Sequence, residues 1–465
     1  MSDLAARNGG RVSLAVLATI LLLGLGLRVD NAWKGRSPAF DAGAYAKIAR
    51  NLDEGNGFTL GPDATQPATN YSPGLPLFVA GIYKLSGGVH ERSARLILAL
   101  IGTLSVLFTY LIGRRLSGPP AGLIGAAAIA VYPAFLEYQG MLMGEPLAAT
   151  LLSGAVLATF WAAGPADLAR GSCHGGPPPH AQTPLRGAFR CGGPPPPRHP
   201  RERWLVPGIL LGALALVRPE YVGVAVLVSL VVLVKDLRAD GRGSPARAAI
   251  LLAGVVLVVA PWTVRNAIAL GRFVPISTGG GQVLFAGTYL PSDGDPERVG
   301  TEVVERHPEL FGPGTVQRLR LEQILARLAA QRYPELETDK ALSRMGREQL
   351  WDDVSEEPLE YVGFVAAKVG RIWSHGPRDV MRMPLWEALH WALVALGLVG
   401  LVVLALQRRW EALLLATIFV SITAISALLV ASPRRVLVMM PLVAALAGAG
   451  AISTYTWLKR PRIRL

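Results

Sequence analysis

The sequence predicts an all-α, polytopic membrane protein that carries two large polar loops on one side of the bilayer, the second folded as a small helical cap. Three observations lead there. The 465 residues have a mean hydropathy of +0.38 with only 17% charged residues, more apolar content than one soluble core of this length needs. Ten apolar runs are long enough, or nearly so, to cross the hydrocarbon layer as helices. The lysines and arginines behind a formal net charge of +13 gather in short tracts beside those runs, as in cytoplasmic loops rather than on a nucleic-acid surface.

The runs fall at residues 12–28, 94–113, 121–136, 141–161, 204–217, 221–234, 248–264, 386–406, 412–430 and 436–457. The first follows Arg7 and Arg11 and lacks a small-x-small cleavage site, so it is expected as a retained signal anchor. With a cytoplasmic N-terminus, ten crossings put Arg114-Arg115, the tract 235–247, Arg408-Arg409 and the tail residues Lys459, Arg460, Arg462 and Arg464 inside. Such a tail suits anionic lipid head groups. The apolar stretch 75–85 would break that parity as a crossing, so it is expected to lie at, or dip into, the outer interface. The expected location is the cell membrane, multi-pass.

Three loops follow from this topology: 30–92 outward, 163–203 inward and 266–384 outward. The inward loop contains GGPPPH and GGPPPPRHPR, a low-complexity connector unable to bury a core. It also holds Cys173 and Cys191, the only cysteines, so disulfides do not stabilise the fold. His174, His180 and His199 lie near them without CxxC or HxxxH spacing, and no metal site is expected there. The last loop opens with the turn-rich PISTGGGQ and continues with helical patterns at 316–332, 338–354 and 359–373. The expected organisation is therefore an N-terminal membrane module at 1–265, a helical cap at 266–385, and C-terminal membrane helices with a basic tail at 386–465. No internal repeat of fixed period is found.

Chemistry-bearing residues lie at the outer ends. In 37–52 a helix places Tyr45, Ile48, Ala49 and Leu52 on one apolar face, with Asp41 one turn before Tyr45. Asp41 reads either as an N-cap or as an acid at the membrane surface. Glu145 falls beside the start of an apolar span. A charge at a helix centre would cost about 2.5–3.5 kcal/mol to insert, so Glu145 needs water or a partner.

Several stretches occur in a telling order: Asp41-x-x-x-Tyr45-x-x-x-Ala49, Asn70-Tyr71-Ser72-Pro73, the segment from Tyr132 to Pro146, Leu216-Val217-Arg218-Pro219-Glu220, Pro261-Trp262-Thr263-Val264-Arg265-Asn266 and Phe273-Val274-Pro275-Ile276-Ser277-Thr278. Taken together they resemble the GT-C membrane glycosyltransferases, in the group that includes protein O-mannosyltransferases and lipid A aminoarabinose transferases. The resemblance covers most of the chain except the Pro-rich loop and the cap. It implies a GT-C-like helix bundle with Asp41 at the catalytic centre and Glu145 as the second acid. The sequence departs from the common pattern at Gly144, where Ser or Thr often precedes the acid, and at Gly287-Thr288, where Gly-Asn is frequent.

The resemblance also implies transfer of a sugar from a polyprenyl-phosphate donor to a glycan, lipid or protein acceptor, with inversion, on the extracytoplasmic face. Such a donor already has a good leaving group; the acceptor hydroxyl needs a base and the departing phosphate needs positive charge. Asp41 is the expected base, and Glu145 a supporting acid that orients the acceptor or a metal. Arg218, Arg265, Arg434 and Arg435, all expected at outer helix ends, are the candidate phosphate clamp; as lone residues each also reads as a snorkelling anchor. Tyr45, Tyr71 and Gln282 are expected acceptor or loop contacts. Gly279-Gly280-Gly281 lacks the lysine and helix of a P-loop and reads as a turn. His375 reads as seating the cap on the membrane. No cofactor is required, a divalent metal is not legible, and no nucleic-acid partner is expected. The rival reading is a transporter or flippase of lipid-linked sugars, which would place ionisable groups near mid-membrane on interrupted helices.

Overall fold

Apolar runs of this length fold as helices because lipid leaves no other partner for backbone polar groups. The computed structural model describes residues 2–37, 40–61, 67–164, 200–240, 245–295, 297–312, 314–374 and 376–459. Among them the sole β contact is an isolated bridge between Thr59 and Pro67; everything else is helix and turn. The Pro-rich stretch with Cys173, Cys191, His174, His180 and His199, the tail residues Arg460, Arg462 and Arg464, and His375 all lie outside the described residues.

The helices are α1 (Ser2–Lys34), α2 (Phe40–Asp53), α3 (Gly74–Leu85), α4 (Glu91–Ser117), α5 (Pro119–Ala130), α6 (Pro133–Gln139), α7 (Glu145–Ala163), α8 (Leu205–Val217), α9 (Tyr221–Asp240), α10 (Ala246–Leu270), α11 (Gly280–Thr288), α12 (Val299–Arg306), α13 (Thr315–Arg318), α14 (Leu321–Arg332), α15 (Thr338–Glu356), α16 (Pro358–Ser374), α17 (Pro384–Leu406), α18 (Trp410–Leu428) and α19 (Pro433–Leu458). Seven of the described helices are long and apolar enough to cross a bilayer, and the α5–α6 pair, bent by 51°, makes an eighth. Pro133 at the start of α6 accounts for that break.

The expected ten crossings are thus seven or eight by length and composition. The shortfall is α8, with 13 residues, and α9, whose last turns carry Lys235, Asp236 and Arg238. Even so, α8 covers the depth of α7. Arg203 before it lies 4.6 Å above the ring of Trp161 at the end of α7, while Arg218 after it reaches Glu145 at the start. The stretch expected at the interface is α3, whose 12 residues are too few for a crossing.

Two helices form the centre. Of the apolar windows in α7 and α19, 78% and 83% are buried, against 17% in α1. Small residues on α19 allow this: a side chain at Gly125 of α5 would come within 2.7 Å of the Ala444 carbonyl, and one at Gly448 would collide with that of Ala121. Close backbone approach of this kind is how membrane helices gain packing without a hydrophobic driving force.

Residues between 285 and 345 form a second apolar cluster around Phe285, Val299, Ile324, Leu328, Leu342 and Met345. The patterns expected at 316–332, 338–354 and 359–373 correspond to α13 with α14, α15 and α16. Lys368 of α16 is fully buried, and its Nζ donates to the Gly287 carbonyl at 2.6 Å. Trp373 at the end of α16 ties this unit to the bundle: its Nε1 donates to Thr423 Oγ1 at 3.2 Å, and its carbonyl meets His390 Nε2 at 3.0 Å.

Candidate active site at one end of the bundle

Three helices start close together with a charged residue in the first turn: Asp41 in α2, Glu145 in α7 and Arg434 in α19. Pro146 and Pro433 sit in the first turns of α7 and α19, where a missing N–H costs nothing. The helix dipole favours the two acids at these ends and disfavours the arginine. Arg434 therefore depends on the acids it faces. Its Nη1 donates to Asp41 Oδ2 at 2.6 Å and its Nε to Glu145 Oε1 at 2.5 Å. Arg218, in the turn between α8 and α9, donates from Nη2 to the same Glu145 oxygen at 2.5 Å.

Burial separates the two acids. The Glu145 side chain is 0% exposed and that of Asp41 39%. A carboxylate withdrawn from water needs close cationic partners, and two guanidinium groups on Oε1 supply them. Among the described residues Glu145 Oε2 has no hydrogen-bond partner. Asp41 holds one short ion pair and keeps access to solvent.

Tyr45, one turn beyond Asp41, lies within electrostatic range of Asp41, Glu145, Arg218 and Arg434; burial pushes its phenol up to about 12, so it stays neutral. Tyr71 packs edge-on against it with ring centroids 5.8 Å apart. Thr278 N–H donates to the Thr69 carbonyl at 2.8 Å, which brings PISTGGGQ beside Asn70-Tyr71. Gly279, with φ of 95°, then turns the chain into α11. Gln282 sits half-buried in the first turn of α11, outside the four-charge cluster. Thr288, at the atypical Gly287-Thr288, is buried and donates to the Leu284 and Gly346 carbonyls at 3.0 and 3.2 Å, so it ties α11 to α15.

Of the four expected arginines, only Arg218 and Arg434 meet the acids. Arg435 turns away, with Nε 3.5 Å from Glu220 and Nη1 donating to the Val430 carbonyl at 2.5 Å. Neighbours on a helix point about 100° apart, so Arg434 and Arg435 cannot share a target. Arg265 lies 4.9 Å over the ring of Trp262, one turn earlier, and 5.8 Å over Phe58; aromatic capture holds it elsewhere.

Other groups near the cluster gave no sequence signal. Tyr138 is buried within electrostatic range of Glu145, Arg434 and Arg378. Glu137 accepts from Arg378 Nε at 2.7 Å and from Arg36 Nη1 at 3.3 Å. Arg378 has φ of 95°, a backbone region costly for a side chain with Cβ. Residues 36, 137 and 378 are linked only by the fold.

An apolar groove of about 870 Å³ starts directly beside the charges. Its walls include Leu147, Leu151 and Trp161 of α7, Leu77, Phe108, and Val217 next to Arg218. From Leu147 to Trp161 the helix rises about 21 Å. Metal ligands do not gather here: among the described residues no group of three or more His, Cys, Asp or Glu could hold an ion. A guanidinium stands between the two carboxylates, so the donor set suits an anion better than a cation.

Residues 68–166 match the family model for dolichyl-phosphate-mannose-protein mannosyltransferase. No curated protein sequence gives a significant match. Among solved structures, the apo oligosaccharyltransferase of Archaeoglobus fulgidus superposes with a TM-score of 0.54 at 16% identity, covering 96% of this chain and 51% of that one. The same archaeal enzyme, AglB, in complex with an inhibitory peptide and a dolichol-phosphate gives 0.54 at 16%, covering 96% and 50%. Its complex with Zn and sulfate gives 0.54 at 15%, covering 95% and 49%. The chain spans about half the length of these archaeal proteins. The family match is confined to residues 68–166, and across the rest of the chain the likeness to the archaeal enzyme is one of fold.

Proposed function

We propose that the chain is an inverting membrane glycosyltransferase, moving a sugar from a polyprenyl-phosphate donor to a hydroxyl on a lipid, glycan or protein acceptor at the outer face of the cell membrane. One observation carries this reading: Arg218 and Arg434 converge with Asp41 and Glu145 at the mouth of an apolar groove. A polyprenyl phosphate is an anion on a long apolar chain, and the groove with its charged mouth complements both parts. The dolichol-phosphate held by the archaeal AglB structure belongs to the same lipid class.

In this reading the acceptor oxygen attacks the anomeric carbon from the face opposite the phosphate. The new C–O bond forms as the old one breaks. The electron pair leaves with the polyprenyl phosphate, whose charge the two guanidinium groups offset, and the hydroxyl proton passes to Asp41. Donor phosphate competes with Asp41 for Arg434, so donor binding releases the carboxylate that must act as base. Glu145 then serves to hold both arginines in position rather than to orient the acceptor.

The transporter reading draws less support. The ionisable cluster lies at helix ends, and the α5–α6 break is explained structurally. Arg28, buried there, donates to the freed carbonyls of Ile129 and Ala130 at 3.0 Å each. We place the cluster and the helical cap, within 266–385, outside the cell, following the basic tracts. The contact of Arg218 with Glu145 supports α8 as a return crossing, which keeps that orientation. The proposed function is tested by sugar transfer from a synthetic polyprenyl-phosphate sugar with purified protein, together with mass spectrometry of lipid-linked sugars and envelope glycans in cells with and without it. Unchanged lipid-linked sugars and glycans, and no transfer in vitro, would refute it.

A further inference from the structure

A second pocket, of about 280 Å³, lies against the opposite face of α2. Ala42, Gly43, Ala46, Lys47 and Arg50 line it from the helix, at angles centred roughly half a turn from Asp41 and Tyr45. The other walls are Arg36, Glu91, Arg95 and Gly140 to Leu142, the last being the strand of chain that leads into Glu145. Small residues on α2 leave the space open; a Cβ on Gly43 would meet nothing within 4 Å.

The walls carry four cations, Arg36, Lys47, Arg50 and Arg95, and one carboxylate, Glu91. Arg50 and Arg95 share Glu91 at 3.6 Å each, too long for firm hydrogen bonds, and Arg36 reaches Glu137 at 3.3 Å. Lys47 has no carboxylate partner among the described residues. Counting both acids, a surplus of two positive charges faces one cavity. Cations held this close repel one another unless an anion joins them, and guanidinium forks are suited to phosphate oxygens.

We propose that this pocket binds a phosphate group of the sugar acceptor, so that the acceptor is a phosphorylated glycan or glycolipid. The inference rests on the transferase reading and adds the class of acceptor. Its geometry fits the task. The pocket and Asp41 lie on opposite sides of one helix, on the order of 10 Å across, and Asp41 is in its first turn, so an acceptor anchored by phosphate on one side has to pass round the start of α2, a path of a few sugar units, to present a hydroxyl to Asp41.

The test is equilibrium binding to the full-length protein in phospholipid-free detergent, with glucose 6-phosphate, glucose and undecaprenyl phosphate as probes, in the parent and in Lys47→Gln/Arg50→Gln. Both residues are exposed, so the double variant folds. Glucose 6-phosphate should bind the parent and glucose should not, the double variant should bind it at least about tenfold more weakly, and undecaprenyl phosphate binding should be unchanged. Equal binding by both proteins, or none by either, would overturn the proposal. So would displacement of glucose 6-phosphate by phosphatidylglycerol in nanodiscs at levels where phosphatidylcholine has no effect, which would make the pocket a lipid head-group site. Failure of the parent to bind undecaprenyl phosphate while glucose 6-phosphate still depends on Lys47 and Arg50 would support the anion pocket and sink the donor reading instead.

Discussion

The guanidinium of Arg434 lies 2.6 Å from the carboxylate of Asp41, joining residues 393 positions apart in the chain. Its other edge holds Glu145, so a single planar group bridges an exposed acid and a buried one. Lysine, a point charge on a flexible stem, cannot make both contacts. Arg434→Lys is therefore expected to lower sugar transfer at least about tenfold, and Arg218→Lys to do the same, while Arg265→Lys leaves transfer near the parental rate because Arg265 stacks on Trp262. Initial rates of the four proteins decide this. Equal losses in Arg265→Lys would show that the clamp has been drawn from the wrong arginines.

Glu145→Gln should damage stability as well as rate. Removing one partner of a buried ion pair costs about 3–5 kcal/mol, because the remaining charge stays desolvated, and here two guanidinium groups lose their shared carboxylate. A thermal melt in detergent should fall clearly below the parent. A parental melt with normal transfer would mean that Glu145 holds nothing in place.

Lys368 provides a pH signature for α16 and its contact with Gly287. Burial, reinforced by Arg435, pulls its ammonium down to about 8 from the ordinary 10.5. Between these values the unfolded chain binds more protons than the folded one, so stability rises with pH across that window; below about 8 both forms are charged and this contribution is flat. Lys368→Met should flatten the rise in melting temperature between pH 8 and 10.5. An unaltered slope would show that the folded Lys368 is not desolvated.

The orientation can be checked with the native cysteines. If the basic tracts are cytoplasmic, Cys173 and Cys191 in intact cells should resist an impermeant maleimide and react only after permeabilisation. Efficient labelling from outside would invert the topology and move the charge cluster of Asp41, Glu145, Arg218 and Arg434 to the cytoplasmic face.

Much of the fold was legible because lipid imposes it: the apolar runs in the described residues all became helices, and the periodic stretches at 338–354 and 359–373 became α15 and α16. The count of crossings was less legible, since α8 is short and α9 ends in charges while both still follow the bundle. Glu145, Arg218 and Arg434 stood out because each is a charge at the edge of an apolar run, and Asp41 because it lies one turn before Tyr45 on the helix pattern of 37–52. Arg265 and Arg435 stood out for the same reason but face Trp262 and Glu220 instead of the two acids, because the sequence does not reveal which way a helix turns its residues. Lys47 and Arg50 gave no sequence signal of a site; only the fold brings Arg36 and Arg95 around them.

Asp41→Asn separates a base from a structural acid most cleanly. Asp41 is the second residue of α2 rather than its cap, and its carboxylate is partly exposed; Asn keeps a side-chain oxygen to accept from Arg434, so the variant should insert and melt like the parent. An amide cannot take the acceptor proton, and general-base catalysis typically contributes roughly 10²- to 10⁴-fold. The decisive measurement is the initial rate of sugar transfer from a polyprenyl-phosphate donor by purified Asp41→Asn in nanodiscs, beside its thermal melt. A parental melt with transfer reduced at least about a hundredfold is the expected result; a parental melt with near-parental transfer would contradict it and remove Asp41 from the chemistry.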